Sequence, residues 1–143
     1  MILVMVLTIF GATSTNARRK AMMPAETFTV KVQNLSGDPL ENSKVFIGGG
    51  HQNPLTVVID TQITDINGEC EFSVPAGVYT LYVLGPDENG SAVEGLGAAL
   101  KSMYLPNIRF ISVVAGEDND QIFTLIKRPK YWSVEATMLA LEK

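Results

Sequence analysis

Cysteine, histidine and tryptophan each occur once in this chain of 143 residues. The lone Cys70 excludes an internal disulfide and any zinc site built from several cysteines. The lone His51 leaves zinc or non-haem iron without the several ligands they ordinarily take. Ser-His-Asp and Cys-His sites also need a histidine beside the nucleophile. His51 follows three glycines in a loop, and nothing local brings it to Cys70. Basic residues are scarce as well: 11 Lys and Arg stand against 15 Asp and Glu, for a net charge of −4. Arg18, Arg19 and Lys20 supply three of the positive charges, which leaves −7 on the rest of the chain. Such a chain offers no clustered basic face, which argues against nucleic acid as a partner.

Long apolar runs are missing too. Residues 2–10, "ILVMVLTIF", have the length of a signal-peptide core and are too short to span a bilayer. Small residues follow up to Ala17, as around a cleavage site, but the positive charges come after the run instead of before it. Residues 1–25 therefore read as an export signal or a disordered apolar segment. The alternatives are an apolar strand of the fold and a start codon inside a longer gene. If the segment is a signal, the protein is periplasmic, cell-surface or secreted, and the signal is its only expected membrane contact.

What is present is the composition of one globular domain, 46% hydrophobic and 18% charged, with turn residues at short intervals. Residues 28–34, "FTVKVQN", alternate with Phe28, Val30 and Val32 on one side, as a half-buried strand does. Gly37 and Pro39 turn the chain, and 43–47 alternates again with Ser43, Val45 and Ile47 on one face. Residues 55–64 are β-branched and long, the pattern of a third strand with a bend or bulge. Asn67-Gly68 is a strong hairpin signal. Cys70, Phe72 and Val74 alternate with Glu69, Glu71 and Ser73. After Pro75-Ala76-Gly77, Tyr79, Leu81 and Val83 alternate with Thr80, Tyr82 and Leu84. Residues 108–116 and 120–128 complete seven strands, separated by the acidic turn 117–120. The excursion 85–107 is long for a compact domain and reads as a loop able to hold a short helix, with Leu96, Leu100 and Met103 on one side. Residues 129–143 form a tail rich in helix formers. The expectation is an all-β, seven-stranded Greek-key-type sandwich over 27–128.

The stretches "GDPLENSKVFI", "TDINGECEFSVPAGVYTLYV" and "IRFISVVAGEDNDQIFTL" resemble the carboxypeptidase regulatory-like domain over about residues 27–126. The turn Thr64-Asp65-x-Asn67-Gly68 and the group Pro75-Ala76-Gly77-x-Tyr79 carry most of the likeness. Cys70 stands where that pattern usually has an aromatic, and loop 85–107 is longer than usual. The resemblance implies a transthyretin-like (prealbumin-like) sandwich and a mostly non-catalytic module in secreted or outer-membrane proteins. Two kinds of enzyme share the fold. Hydrolases that open 5-hydroxyisourate carry several histidines and a Tyr-Arg-Gly-Ser motif; this sequence has one histidine and no such motif. Intradiol dioxygenases hold iron with two tyrosines and two histidines, which one histidine cannot supply.

Sharper sites fare no better. Asp65-x-Asn67-Gly68-Glu69 has its glycine fourth and an alanine at position 12, where an EF-hand needs glycine sixth and a bidentate Glu at 12. Residues 117–120 carry hard oxygen ligands with no ligand pattern after them and read as a solvated turn. A Lys–Asn isopeptide bond finds Lys31 outward-facing and no asparagine on the last strand. Cys70 shares its face with Phe72 and Val74 and reads as a buried, inert residue. No catalytic, cofactor or metal residue is expected. The reading is a non-enzymatic structural, accessory or interaction module of an exported or cell-surface protein. The alternative is a carbohydrate- or peptide-binding domain contacting its protein or carbohydrate partner through loop 85–107 and Tyr104, Tyr131 and Trp132. Strand faces read as core or as solvated polar positions, which would leave binding to loops; Leu96, Leu100, Met103 and Tyr104 capping an open end of the sandwich is the structural alternative.

Overall fold

The computed structural model describes residues 24–50 and 57–129. Its strands are β1 (Ala25–Gln33), β2 (Lys44–Gly49), β3 (Val58–Ile63), β4 (Glu69–Pro75), β5 (Gly77–Leu84), β6 (Asn107–Val113) and β7 (Gln121–Thr124). One helical turn, α1 (Ala98–Lys101), lies between β5 and β6. The strands form two sheets, ordered β4-β1-β7 and β3-β2-β5-β6. Neighbours are antiparallel except β1 and β7, which run parallel. This is the all-β, seven-stranded sandwich that the sequence predicts. β1 begins at Ala25, ahead of the alternation that starts at Phe28, while β6 and β7 are shorter than 108–116 and 120–128.

Alternation explains the core between the sheets. Phe28, Val30 and Val32 of β1 meet Val45 and Ile47 of β2, Phe72 of β4, Leu81 and Val83 of β5, and Phe123 of β7, all buried. The Phe28 and Phe72 rings sit 5.9 Å apart on paired strands, a contact worth about 0.5–1.5 kcal/mol beyond the area it buries. The bulge expected in the third strand is present: Ile47 faces Asp60 and Gly48 faces Val58, so Ile59 is the extra residue.

The two strongest turn signals form, but neither makes a hairpin. Asn67-Gly68 connects β3 of one sheet to β4 of the other, and Pro75-Ala76-Gly77 carries the chain back again. The second crossing is fastened by the Tyr79 hydroxyl, which donates to the Pro75 carbonyl at 2.5 Å. The turn signals are local chemistry, whereas pairing depends on distant partners; β4 finds its partner in β1, not in either sequence neighbour.

The turn around Asn67 occurs three times. In residues 65–69, Asp65 Oδ1 accepts the N–H of Asn67 (2.9 Å) and of Glu69 (3.0 Å). Its carbonyl accepts the Gly68 N–H, and its N–H donates to the Glu69 carbonyl. Residues 87–91 repeat all four bonds with Asp87, and residues 34–38 repeat them with Asn34. The fourth residue is a glycine at positive φ each time: Gly68, Gly90 and Gly37. The spelling Asx-x-(Asn/Ser)-Gly supplies both the side-chain acceptor and the left-handed position that the turn needs. All three lie at the same end of the sandwich. There Asn42, itself at φ 64, donates its N–H to the Thr64 carbonyl and its amide to the Gly90 carbonyl.

At the opposite end, residues 117–120 are more than a solvated turn. Asn119 is buried: its Oδ1 accepts the Val114 N–H at 2.9 Å and its Nδ2 donates to the Val114 and Glu117 carbonyls. Asp120 Oδ1 accepts the Thr29 N–H at 2.7 Å. These polar side chains serve backbone groups.

Candidate functional site: the outer face of the four-stranded sheet

Strand β5 departs from simple alternation. Tyr79, Leu81 and Val83 face the core as expected, but Thr80, Tyr82 and Leu84 are buried as well. They point away from the core, on the outside of the four-stranded sheet. Register places Thr61, Phe46, Tyr82 and Ile108 in one row across that face, and Ile63, Lys44 and Leu84 in the next. The Phe46 and Tyr82 rings are 6.0 Å apart and inclined by 53°. Lys44 Nζ lies 5.7 Å from the Phe46 ring centre and donates to the Val93 carbonyl at 3.4 Å.

Part of loop 85–107 folds over this face. Val93 is buried against Tyr82 and Leu84, with Ala98 and Ala99 beside it. This part of the loop therefore covers an outer sheet face; of the residues read as capping an end of the sandwich, Leu96 and Leu100 turn outward, while Tyr104 packs on the main core. Leu96 is 100% exposed and Leu100 78% exposed, while the small side chains of Ala98 and Ala99 turn inward. Gly95 and Gly97, both at positive φ, bracket Leu96 and present it outward; Gly97 also caps α1. Between the loop and the sheet lies a groove of about 430 Å³, lined by Lys44, Phe46, Tyr82, Leu84 and residues 95–99. Its volume falls within the roughly 300–1,000 Å³ range of ligand sites. Beyond the groove the same face shows Val78, Ile108 and Phe110, the last 59% exposed. The expectation that strand faces hold only core or polar positions thus fails here. The signal was "VYTLYVL" at 78–84, a nearly unbroken apolar run that marks a strand buried on both faces.

The sequence-predicted contacts are not gathered at this groove. Tyr104 is half-buried against the main core, and Lys127 faces it across a backbone bridge. Its ring fills the space over Gly85, where a Cβ would come within 2.7 Å of it. It also lines a hollow of about 250 Å³ with Asn34, Leu35, Ser36, Leu125 and Lys127. Tyr131, Trp132 and His51 lie outside the described residues.

Cys70 does share the inward face with Phe72 and Val74, but it is half-buried where full burial was expected, because it sits near the start of β4 beside a small hollow lined by Thr29, Asp65, Glu69 and Glu71. Burial first, then Asp65 and Asp60, push its thiol from 9.0 to about 12. A thiol held protonated is a poor nucleophile. Burial also raises the phenols of Tyr79 and Tyr82. Among the described residues no helix is long and apolar enough to cross a membrane.

No family model and no curated protein matches the chain. Solved structures with a similar arrangement include the 5-hydroxyisourate hydrolase of Klebsiella pneumoniae (18% identity, TM-score 0.49, covering 73% of this chain and 93% of that one). Another is the TIE protein of Bacillus anthracis (13% identity, TM-score 0.48), where the match covers 73% of this chain but only 17% of the other. A third is the pilus 2b backbone protein of group B streptococcus (16% identity, TM-score 0.45), with 71% of this chain and 40% of that one covered. A fold hosts many functions, and the function of this one is left to its own residues.

Proposed function

We propose that this chain is a non-catalytic β-sandwich module, of the carboxypeptidase regulatory-like kind, in an exported or cell-surface protein, and that it works by docking a protein segment on the outer face of its four-stranded sheet. The observation that carries the reading is the groove walled by Gly95, Leu96 and Gly97, with the exposed Leu96 in its wall, the exposed Leu100 on the adjoining helical turn, and apolar Ile108 and Phe110 further along the same sheet face. Exposed apolar side chains grouped around a groove favour a protein partner over bulk water. The turns that carry the family resemblance support the module assignment.

Selection from a displayed peptide library tests this. Binders enriched in aromatic and aliphatic residues are expected, with binding lost in Leu96→Asp and Leu100→Asp at unchanged melting temperature. Binding that ignores both substitutions would sink the reading. A carbohydrate-binding alternative has one observation in its favour: the hollow beside Tyr104 combines an aromatic ring with Asn34, Ser36 and Lys127. A glycan-array hit abolished by Tyr104→Ala would favour that alternative.

A further inference from the structure

We infer that the groove on the four-stranded sheet is occupied by this chain's own residues 130–143, docked in cis. The inference deepens the reading above: it accepts the groove as a docking site and names its resident segment.

Three observations converge. The first is the exit of the chain. After β7 the backbone runs beside residues 103–105: Leu105 N–H donates to the Ile126 carbonyl, and Arg128 N–H donates to the Met103 carbonyl at 2.7 Å. The Arg128 guanidinium then reaches α1 and donates from Nη2 to the Ala99 carbonyl at 2.6 Å. Ala99 is a wall of the groove. The last described residues of the chain therefore lie within a side chain's reach of the groove wall. From there a helical segment of this length reaches about 20 Å and an extended one about twice that.

The second observation concerns Arg128 itself. Its Nε is buried and has no hydrogen-bond partner among the described residues. A buried N–H without an acceptor is costly. The carbonyls or Glu135 of the segment that follows can supply that acceptor.

The third is chemical fit. Residues 130–143 carry Tyr131, Trp132, Val134, Met138, Leu139 and Leu141, enough apolar surface to cover Phe46, Tyr82 and Leu96 of the groove. The other segment outside the described residues, 1–23, is badly placed. Ala25 pairs with Pro75, at the end of the sandwich opposite Leu84 and Lys44.

Trp132 is the chain's one tryptophan, so its fluorescence in the full-length protein reports on this segment directly. A synthetic 130–143 peptide gives the solvated reference. The expected result is emission to the blue of the peptide and shielding from acrylamide. Leu96→Asp, fully exposed and so harmless to folding, should move emission and quenching towards the peptide values. Ile122→Asp, exposed on the other sheet, should change neither. Solvated emission in the unaltered protein overturns the inference. So does shielded emission that ignores Leu96→Asp, or that responds equally to Ile122→Asp. A blue shift that disappears on dilution, together with a dimer in sedimentation, assigns the segment to a second copy and overturns docking in cis. A docked Trp132 in a protein that selects no peptides leaves this inference standing while the external-partner reading falls.

Discussion

On the outside of the three-stranded sheet, Thr27, Thr29 and Lys31 of β1 stand opposite Ser73, Glu71 and Glu69 of β4, and Gln33 donates to the Thr124 hydroxyl of β7. The corresponding positions on the four-stranded sheet hold Phe46, Tyr82, Leu84, Ile108 and Phe110. One sheet has an apolar face and a face that is wet except at Ile122, close to what a free sandwich sheet should have. The other is apolar on both faces, and a loop covers only part of the second. The difference assigns the two sheets separate duties: the first closes the core, and the second closes the core and presents a surface.

The largest effect that tests this contrast is at Leu84. It is buried on the outer face under Val93, so Leu84→Ala should cost about 2–5 kcal/mol in urea unfolding, like a core truncation. Glu71→Ala, outward on the other sheet, should stay within about 0.5 kcal/mol. Equal costs would erase the contrast.

Next come two of the repeated turns, one leading from sheet to sheet and one lying between β5 and β6 of the same sheet. Gly68 and Gly90 occupy the same place in the same turn, at φ 73 and 77. A Cβ at Gly68 would lie 2.5 Å from the Val32 carbonyl oxygen of β1, whereas one at Gly90 would meet nothing within 4 Å. Gly90→Ala should therefore cost only the left-handed strain, about 1–2 kcal/mol. Gly68→Ala should cost more, because the backbone of β1 must also move. Matching losses of melting temperature would show that the close approach to the three-stranded sheet is unimportant.

A smaller effect is expected at the crossing from β4 to β5. Tyr79→Phe removes the hydroxyl bond to Pro75 and should cost about 1 kcal/mol. No change would mean that the crossing is held by packing alone.

The last effect is absent at neutral pH and emerges only in alkali. The folded protein holds the Cys70 proton, and those of Tyr79 and Tyr82, more tightly than the unfolded chain does. Stability from these groups is intact below pH 9. It falls as pH rises through the ordinary thiol value of 9.0 and then the ordinary phenol value of 10.0. Cys70→Ser should remove the first part of that decline, on the three-stranded sheet. Tyr82→Phe should remove a later part, on the four-stranded one. An alkaline limb identical in both variants and the parent would refute this division.

Much of the sandwich was legible because its cues are local. Alternation at Phe28, Val30 and Val32 and turns at Gly37 and Gly68 depend on nearby residues alone. The strand partners were not legible, since Asn67-Gly68 spells a tight turn whether the next strand folds back or crosses to the other sheet. The groove was missed for a related reason. Alternation assigned Tyr82 and Leu84 to water, and only the fold shows a loop returning to cover them. Leu96 and Leu100 read as one side of a short helix, either capping the sandwich or contacting a partner. Gly95 and Gly97 reverse the backbone around Leu96, so the smaller alanines pack instead. Tyr104 was singled out for its loop, and the structure sets its ring over Gly85.

The turn at residues 34–38 has a practical consequence for protein engineering. Its four bonds close within its own five residues, Leu35 at its tip is exposed, and Gly37 has open space around it. An epitope, fluorophore or affinity tag inserted there would extend from a self-contained hinge point. It would leave the outer face of the four-stranded sheet unaltered, so the insertion makes a convenient handle for following what that face binds.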